Sequence, residues 1–594
     1  MQVLILLTKA DGAIVTRDTL NEACWDGRIV GEDAINRVIS RLRRLAEGLG
    51  QGVFHIETVT GVGYRLVAET SSDLAPEAPA RAAPSRRPAW SIAAAALLVA
   101  LLLAGGWWMA RPPGHAAIAA GPKAIPRLRV DAFAPLSPDV SPAMVASARE
   151  EIVAAFGQIS LVDIDANPAD AAASPLSWRL SGAIGRAGPN LRFIVHLTHE
   201  STGQVVWSAT MERPAGEGAL AFKRVAAMIE EVVATSLAAA ASYHGGALPD
   251  PTLALFIQWN QDTVLPVARY RHGEEELRRA LALTPDFATG WSWLAGALGA
   301  TASASPDPAD AAAARAAAPA VIARALSYNS NDPIALMARA KILPPGDFLG
   351  RDAAFVRATT APSSEFGAEH SAYAVFLINV GRPGVAVRQA DISHELDPIY
   401  PGFMTRYAEA LSLTGQSTLA RRVIDQARAL WPEDESARDL IVRSALWTGD
   451  YDPAVAALRA DVQTPPAVRE VMLETLAALQ ANDPARQDAA AARLIRLSLD
   501  PGPQGRFVVS ALGRLGRDRE AIAAADRLIA ARNALTAGVL FDPTLAAARR
   551  TPEFAALVVK VGLLDYWRRS GHPPDFCLAD GAPALCAGLK GAAR

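Results

Sequence analysis

The chain has 594 residues, too many for one hydrophobic core, and about 150 residues per domain predicts three or four folded units. With 51% hydrophobic and 20% charged residues, the composition excludes a wholly disordered chain. The net charge of −3 shows no overall basicity, so any nucleic-acid-binding surface has to be local. Abundant alanine without runs of β-branched residues predicts a mostly α-helical fold.

The first elements contain a strongly basic helix. A short helix is expected at Arg17–Cys24, and a longer one from about Glu32 to Glu47. Helical spacing places apolar side chains on one side of the longer helix: Ile35, Val38, Ile39, Leu42 and Ala46. Four arginines and no acidic residue lie between Ala34 and Ala46. Such a face suits phosphate neutralisation and base contacts in a DNA groove, although basic runs are often only solvated surface.

A hairpin follows the basic helix. The segment "VFHIETV" alternates like a strand, "TGVG" is a glycine-rich turn, and "YRLV" begins a second extended run. A basic helix followed by a hairpin is the winged-helix arrangement. This interpretation makes the solvated-surface alternative less favourable.

The stretch "GAIVTRDTLNEACWDGRIVGEDAINRVISRLRRL", with "IETVTGVGYRL" after it, resembles the C-terminal effector domain of OmpR/PhoB-type response regulators. It is still more similar to the membrane-anchored CadC/ToxR-like regulators, over roughly Val3–Val67. The resemblance implies a recognition helix at Glu32–Glu47, a wing at Val53–Val67 and a candidate RNA polymerase contact in the loop Trp25–Asp33. It also implies a small N-terminal sheet ahead of the first helix; because Met1 falls where that helix is expected, we do not expect the sheet within the given sequence, unless the start at Met1 is misassigned. The wing has Thr60 where a basic residue is usual.

The expected DNA contacts divide between the helix and the wing. Arginines would contact phosphates and bases, two polar side chains would bond base edges, and the wing would brace the adjacent backbone. The predicted DNA-binding residues are Asn36, Arg37, Ser40, Arg41, Arg43, Arg44, Thr60 and Tyr64. Binding as a homodimer on tandem half-sites is expected.

A membrane anchor is predicted after this winged-helix domain, which is assigned to residues 1–68. Residues 69–89 are rich in Pro, Ala and Ser and are interpreted as an extended linker. The segment Trp90–Ala110 carries no charge, and its 21 residues match the ~20 that a helix needs to cross a bilayer. Because a DNA-binding domain must face the cytoplasm, we expect a single-pass protein of a bacterial inner membrane with its C-terminal domains in the periplasm.

Two further domains are expected beyond the span. Residues 125–245 alternate between strands and helices, which predicts a small α/β layer domain; "WRLSGAIGRAGPNLRFIVHLTHESTGQVVWSATMER" resembles the TolB N-terminal-like domain. In residues 250–594, helix–proline junctions recur at Pro398, Pro432, Pro466 and Pro501, spaced by 34, 34 and 35 residues. This period is that of the tetratricopeptide repeat, which "ELRRALALTPDFATGWSWLAGAL" resembles.

The details of this array are also predicted. Earlier junctions at Pro285 and Pro333 are expected to be separated by an Ala/Pro-rich insertion near Thr301–Pro319. Each junction proline should end one helix and begin the next. The segment beginning "FDPTLAAARR" at Phe541 looks like a terminal cap. The groove of such an array suits an unknown peptide or protein partner, although the array could also serve only as a spacer or dimer contact.

Cysteines and catalytic motifs add little. Cys577 and Cys586 either form a disulfide or remain two buried thiols, and spacing alone does not decide. No phosphate-binding loop, zinc-spaced set or nucleophile elbow is present in the sequence. No enzyme, cofactor or metal site is therefore predicted.

Two functions are consistent with these patterns. The favoured one is a one-component transmembrane transcriptional regulator, with the winged helix controlled by periplasmic sensor domains. The alternative is a membrane-anchored tetratricopeptide-repeat interaction scaffold with a degenerate DNA-binding domain.

Overall fold

The computed structural model describes residues 6–8, 10, 13–16, 19, 39, 54–59, 63–68, 125–165, 176–264, 273–305, 307–361, 366–532 and 534–589. The chain folds as two compact units, Met1–Pro122 and Lys123–Arg594. The predicted linker (69–89) and span (Trp90–Ala110) lie outside the described residues. Within the described ranges, no helix combines the length and apolarity that crossing a bilayer requires.

The N-terminal unit contains a three-stranded antiparallel sheet in the order β1-β3-β2. Its strands are β1 (Val15–Thr16), β2 (Phe54–Val59) and β3 (Gly63–Ala68). The pairing of β2 with β3 confirms the predicted hairpin, because both strands fall where the alternating pattern places them. The short β1 was not predicted; it adds a third strand through Val15, which lies opposite Tyr64.

The second unit begins with an α/β layer. Its sheet has the order β6-β4-β7-β8-β9, with β5 also on β7. The strands are β4 (Arg127–Val130), β5 (Ala134–Pro135), β6 (Asp163–Asp165), β7 (Ser177–Ala187), β8 (Asn190–His199) and β9 (Gln204–Pro214). The three long strands are antiparallel, as predicted, and β4 joins them in parallel. Helices α1 (Pro142–Phe156) and α2 (Ala219–Ala241) complete the layer.

Helix α2 is central to the second unit because it is apolar on nearly every side. Most of its residues are buried, as expected for a helix without a polar face. It packs on α1 within the layer and on the helical region that follows. Arg224 of α2 donates from Nε to the backbone oxygen of Ala429 at 2.7 Å, which ties the layer to that region.

Among the described residues, the chain after α2 is mainly helical. The helices are α3 (Asp250–Val264), α4 (Gly273–Leu283), α5 (Ala288–Ala304), α6 (Pro308–Tyr328), α7 (Pro333–Ile342), α8 (Phe348–Thr359), α9 (Ala368–Asn379), α10 (Pro383–Leu396), α11 (Pro401–Leu413), α12 (Ser417–Leu430), α13 (Glu435–Thr448), α14 (Asp452–Ala460), α15 (Pro466–Ala481), α16 (Pro484–Leu497), α17 (Gly505–Arg514), α18 (Asp518–Arg532), α19 (Pro552–Val561), α20 (Leu563–Ser570) and α21 (Asp575–Leu578). From α9 to α18 they pack in consecutive pairs.

The turns inside these five pairs reveal the period. Each turn carries one residue with positive φ, at spacings of 34, 34, 33 and 34 residues. These residues are Gly381, Gly415, Gly449, Asn482 and Gly516. Glycine and asparagine adopt this backbone conformation at low cost and commonly end helices. The helical hairpin therefore recurs with the predicted period.

One expectation about the array needs correction, namely that each junction proline begins a helix. Pro333 and Pro466 begin helices, whereas Pro398, Pro432 and Pro501 lie in the turns between them, so these three prolines mark junctions without starting the next helix. The expected insertion near Thr301–Pro319 is largely helical, because an Ala-rich run follows Pro308 at the first helical turn and the Asp307 cap.

The C-terminal segment, expected to be a terminal cap, also contacts much earlier helices. It returns to helices that precede it by about two hundred residues: Tyr566 donates to Asp352 at 2.9 Å, and the Trp567 indole donates to the backbone oxygen of Val380 at 2.9 Å. The backbone N–H of Gly384 in turn donates to Asp575 at 2.7 Å. These contacts join the end of the array to its earlier part.

Candidate functional site

The described part of the wing is a tightly paired hairpin. In the register of β2 and β3, Glu57 lies opposite Arg65, and the two side chains form an ion pair at 2.6 Å. An opposite-charge pair across two strands favours this register. Ile39, predicted to face inward from the recognition helix, is helical and only 1% exposed.

Most of the predicted DNA contacts lie outside the described residues, namely Asn36, Arg37, Ser40, Arg41, Arg43, Arg44 and Thr60. Tyr64 is described, and its side chain is 2% exposed. It lies on β3 between Val15 and Thr58 of the flanking strands. A ring buried in this way stabilises the sheet, so its burial argues against the predicted contact with the DNA backbone.

A cavity of about 490 Å³ lies in the second unit, between the α/β layer and the helical array. Aromatic side chains line much of it: Trp259, Trp293, Phe355, Phe366, Phe376, Tyr400 and Phe403. The ring centroids of Trp259 and Trp293 are 5.3 Å apart, and those of Trp293 and Phe366 are 5.4 Å apart. The lining combines these rings with polar and charged side chains, and small-molecule sites commonly combine hydrophobic walls with placed polar groups.

Cationic groups also reach this cavity. Burial, together with the nearby charge of Arg406, lowers the pKa of Lys341 to about 8. The guanidinium of Arg351 is committed to structure, because it donates to the backbone oxygens of Ala340, Leu343, Pro344 and Pro345 at 2.5 to 3.1 Å. Lys341 is therefore the cation in this wall with the least evident structural role.

An acidic cluster lies beside the cavity. Glu230 and Glu231 of α2 and Asp397, which follows α10, each offer an oxygen, and these oxygens lie within 4.8 Å of one another. Glu231 and Asp397 also line the cavity. Burial raises the pKa of both glutamates well above the ordinary range, and repulsion from Asp397 adds to this effect. Burial likewise raises the pKa of Asp397 to about 6.

Asp397 is held in place by the backbone. Its Oδ1 accepts hydrogen bonds from the N–H groups of Ile399 and Tyr400 at 3.2 and 3.0 Å. These bonds form the turn between α10 and α11, which fixes the carboxyl group against α2. The cluster thus joins two elements that are far apart in sequence.

A second buried carboxylate is surrounded by arginines. Glu409 of α11 pairs with Arg443 of α13 at 2.9 Å, with Arg506 of α17 at 3.2 Å and with Arg406 at 3.1 Å. These arginines hold its pKa well below the ordinary range, although its burial acts in the opposite direction. Because the four side chains come from three helices, this network stabilises the packing of successive hairpins.

The two C-terminal cysteines are paired. Cys577 and Cys586 form a disulfide with a Cα–Cα distance of 5.3 Å, within the usual range. Both side chains are buried next to the segment that returns to the earlier helices.

Sequence reasoning missed the acidic cluster and the cavity. A signal for the glutamates was present, since "AMIEEVVATS" places two adjacent acids in a helix that is otherwise apolar. No local signal connects them with Asp397.

Comparisons with known proteins concern the N-terminal unit. Residues 1–66 match the family model described as "Transcriptional regulatory protein, C terminal". A comparison of the chain with curated proteins finds no match. Residues 1–66 are therefore an OmpR/PhoB-type winged-helix DNA-binding domain, the DNA-binding part of a transcription regulator.

Proposed function

We propose that the chain is a one-component transcription regulator anchored in the bacterial inner membrane. The family match over residues 1–66 carries the DNA-binding part of this proposal. The uncharged segment Trp90–Ala110 supports the anchor, and the linker at 69–89 leaves the winged helix free to reach DNA.

The periplasmic placement of the second unit has its own support. The disulfide between Cys577 and Cys586 suits an oxidising compartment. The hairpin period of the array is that of tetratricopeptide repeats, and the aromatic cavity offers a place for a signal molecule. In this proposal, a ligand or partner at the second unit shifts the fraction of protein that binds tandem half-sites as a dimer.

DNA binding is tested by footprinting on the chain's own promoter region with the purified full-length protein. Arg41→Ala plus Arg44→Ala should weaken protection by tenfold or more, because each base or phosphate contact accounts for about 1–3 kcal/mol. The slope of log affinity against log salt should also decrease by about one for each phosphate that the variant no longer neutralises.

A charge-matched control is Arg421→Ala plus Arg519→Ala. Both arginines lie on the surface of the second unit, where they pair with Asp450 and Glu553, and their removal changes the net charge equally. This control should leave the footprint unchanged. If the variant with Arg41→Ala and Arg44→Ala binds DNA as tightly as the wild type, the result would instead favour the alternative function, a membrane-anchored interaction scaffold with a degenerate DNA-binding domain.

The anchor is tested separately by fractionation. The full-length chain should remain in the membrane fraction after an alkaline wash, and deletion of residues 90–110 should release it. A periplasm-dependent reporter should be active when fused after residue 124 and inactive when fused before residue 89. The opposite reporter pattern would contradict the proposed topology without affecting the DNA-binding proposal.

A further inference from the structure

The two glutamates of the acidic cluster formed by Glu230, Glu231 and Asp397 are unusual because they are buried without a cationic partner among the described residues. Glu230 is 1% exposed and Glu231 is 4% exposed. Among the described residues, Glu230 Oε2 and Glu231 Oε1 have no hydrogen-bond partner. An uncompensated buried carboxylate costs several kcal/mol, so such a group requires a proton, a cationic partner or a bound cation.

In the part of the chain that the structure describes, no cationic side chain acts on the cluster as arginines act on Glu409. The side chains with the largest electrostatic effects on the three carboxyls are the other members of the cluster. Across the same described ranges, no ion pair joins any of the three to a lysine, arginine or histidine. The neutralising group must therefore be a proton or an ion.

We propose that Glu230, Glu231 and Asp397 bind one divalent cation, with calcium preferred over magnesium. Carboxylate oxygens are the ligands that these hard cations prefer. Two oxygens bound to one calcium ion lie at most about 5 Å apart, because each Ca–O distance is about 2.3–2.6 Å. The cluster oxygens lie within 4.8 Å of one another, so calcium fits with little movement.

Magnesium fits less well. Its Mg–O distance of about 2.0–2.1 Å limits any two of its ligands to about 4.2 Å, a tighter limit than the 4.8 Å within which the cluster oxygens lie. The ligands have little freedom to adopt the regular geometry of magnesium, because Glu230 and Glu231 lie on the same helix and Asp397 is held by two backbone N–H groups. Calcium also tolerates an irregular ligand arrangement, whereas magnesium requires a nearly octahedral one.

The adjoining cavity supplies the remaining requirements. Glu231 and Asp397 line it, so an ion can reach the cluster from that side. Three carboxylate oxygens do not complete the six to eight ligands of calcium, and water in the cavity can supply the others. Thr235, one helical turn after Glu231, lines the same cavity.

The bound ion would connect the two parts of the second unit. Glu230 and Glu231 belong to the α/β layer, while Asp397 belongs to the turn between two hairpins of the array. Calcium would stabilise this contact by linkage, because it binds the docked arrangement and not the separated one. This inference does not depend on DNA binding or on the membrane anchor.

The test is a calcium titration of the purified full-length chain by calorimetry, after treatment with a chelator and dialysis. We expect one saturable site per chain and a higher unfolding temperature in calcium. Magnesium should bind at least about tenfold more weakly, given the geometric argument above.

Conservative variants locate the site. Glu230→Gln, Glu231→Gln and Asp397→Asn should each weaken calcium binding by roughly tenfold or more, because affinity follows the number of charged ligands. Glu274→Gln is the matched control: Glu274 lines the same cavity, but it accepts a hydrogen bond from Thr301 at 3.1 Å and lies outside the cluster. It should bind calcium like the wild type.

Three results would overturn the proposal. The first is no saturable binding of calcium by the wild type up to about 10 mM, beyond the range of weak extracellular calcium sites; the cluster would then hold shared protons only. The second is calcium binding that all three variants retain unchanged. The third is tighter binding of magnesium than of calcium, which would contradict the choice of ion. The wild-type titration decides the first and third points even where a variant fails to fold.

Discussion

The second unit contains two buried acidic sites that are neutralised in opposite ways. Glu409 is 4% exposed and contacts three arginines, so its pKa lies well below the ordinary range. Glu231 is also 4% exposed, but its nearest charged neighbours are Glu230 and Asp397, so its pKa lies well above that range. Burial alone therefore does not determine the charge of these carboxyls.

This difference indicates a structural role for the Glu409 site and a binding role for the cluster that contains Glu231. A carboxylate that is already paired with arginines gains little from an added cation, whereas an unpaired group of carboxyls gains much. Substitutions that change one of the two sites at a time test this distinction.

The largest effect is expected at Glu409. Glu409→Gln leaves three arginines without their common anion, so the free energy of unfolding should fall by about 3 kcal/mol. Denaturant unfolding followed by circular dichroism measures this loss. Glu474→Gln is the control: Glu474 pairs with Arg493 at the surface, and the expected loss is within about 1 kcal/mol. A loss at Glu409 as small as in this control would show that the network does not hold the hairpins together.

The opposite sign is expected at Asp397. In chelator-treated protein near pH 7.5, Asp397→Asn should raise the free energy of unfolding by about 1–2 kcal/mol. The pKa of about 6 shows that the folded state disfavours the charged form, and the amide oxygen can still accept the two backbone hydrogen bonds. Denaturant unfolding at the same pH measures this gain, and a clear loss would show that the Asp397 charge is compensated.

The sequence accounts for the elements of the second unit better than for its sites. Strands β7, β8 and β9 and helix α2 form within residues 125–245, where strands and helices were expected, because alternation and apolar runs are local signals. The spacing of the prolines in the sequence also indicated the period of the hairpins. In the structure, residues with positive φ such as Gly415 and Asn482 mark this period more directly, because each lies in the turn inside a hairpin.

The sites were less predictable because they depend on contacts between distant segments. Asp397 belongs to the "HELDP" junction, which indicated a repeat boundary and nothing about α2. Likewise, nothing in the sequence around Tyr566 indicates that it donates to Asp352, more than two hundred residues earlier. Helical periodicity predicts which side of a helix is buried, but not the partner that covers it.

A smaller effect is expected where hydroxyl groups satisfy a buried carboxyl. Asp352 accepts hydrogen bonds from Tyr373 at 2.8 Å and from Tyr566 at 2.9 Å. Tyr566→Phe removes one of these bonds and should lower the free energy of unfolding by about 1 kcal/mol. Thermal or denaturant unfolding measures the change. Tyr243→Phe, which removes an exposed bond to Asp286, is the control and should have less effect. Equal effects would mean that the contact of the C-terminal segment with Asp352 does not contribute to stability.

The smallest effect, below about 1 kcal/mol per pH unit, is a difference in pH dependence. The pKa of Glu409 is depressed, so its contribution to stability is present above about pH 4.3 and is lost as the pH falls further. The pKa of Asp397 is raised to about 6, so its contribution is present below about pH 3.9 and is lost as the pH rises through 6.

In chelator-treated protein, the free energy of unfolding of the wild type should therefore exceed that of Glu409→Gln by a smaller amount as the pH falls. The advantage of Asp397→Asn over the wild type should shrink on acidification as well, because protonation removes the unfavourable charge that the substitution removes. Unfolding of the three proteins between about pH 2.5 and pH 7 measures both trends, and a constant gap between Asp397→Asn and the wild type would show that Asp397 does not titrate differently in the folded state.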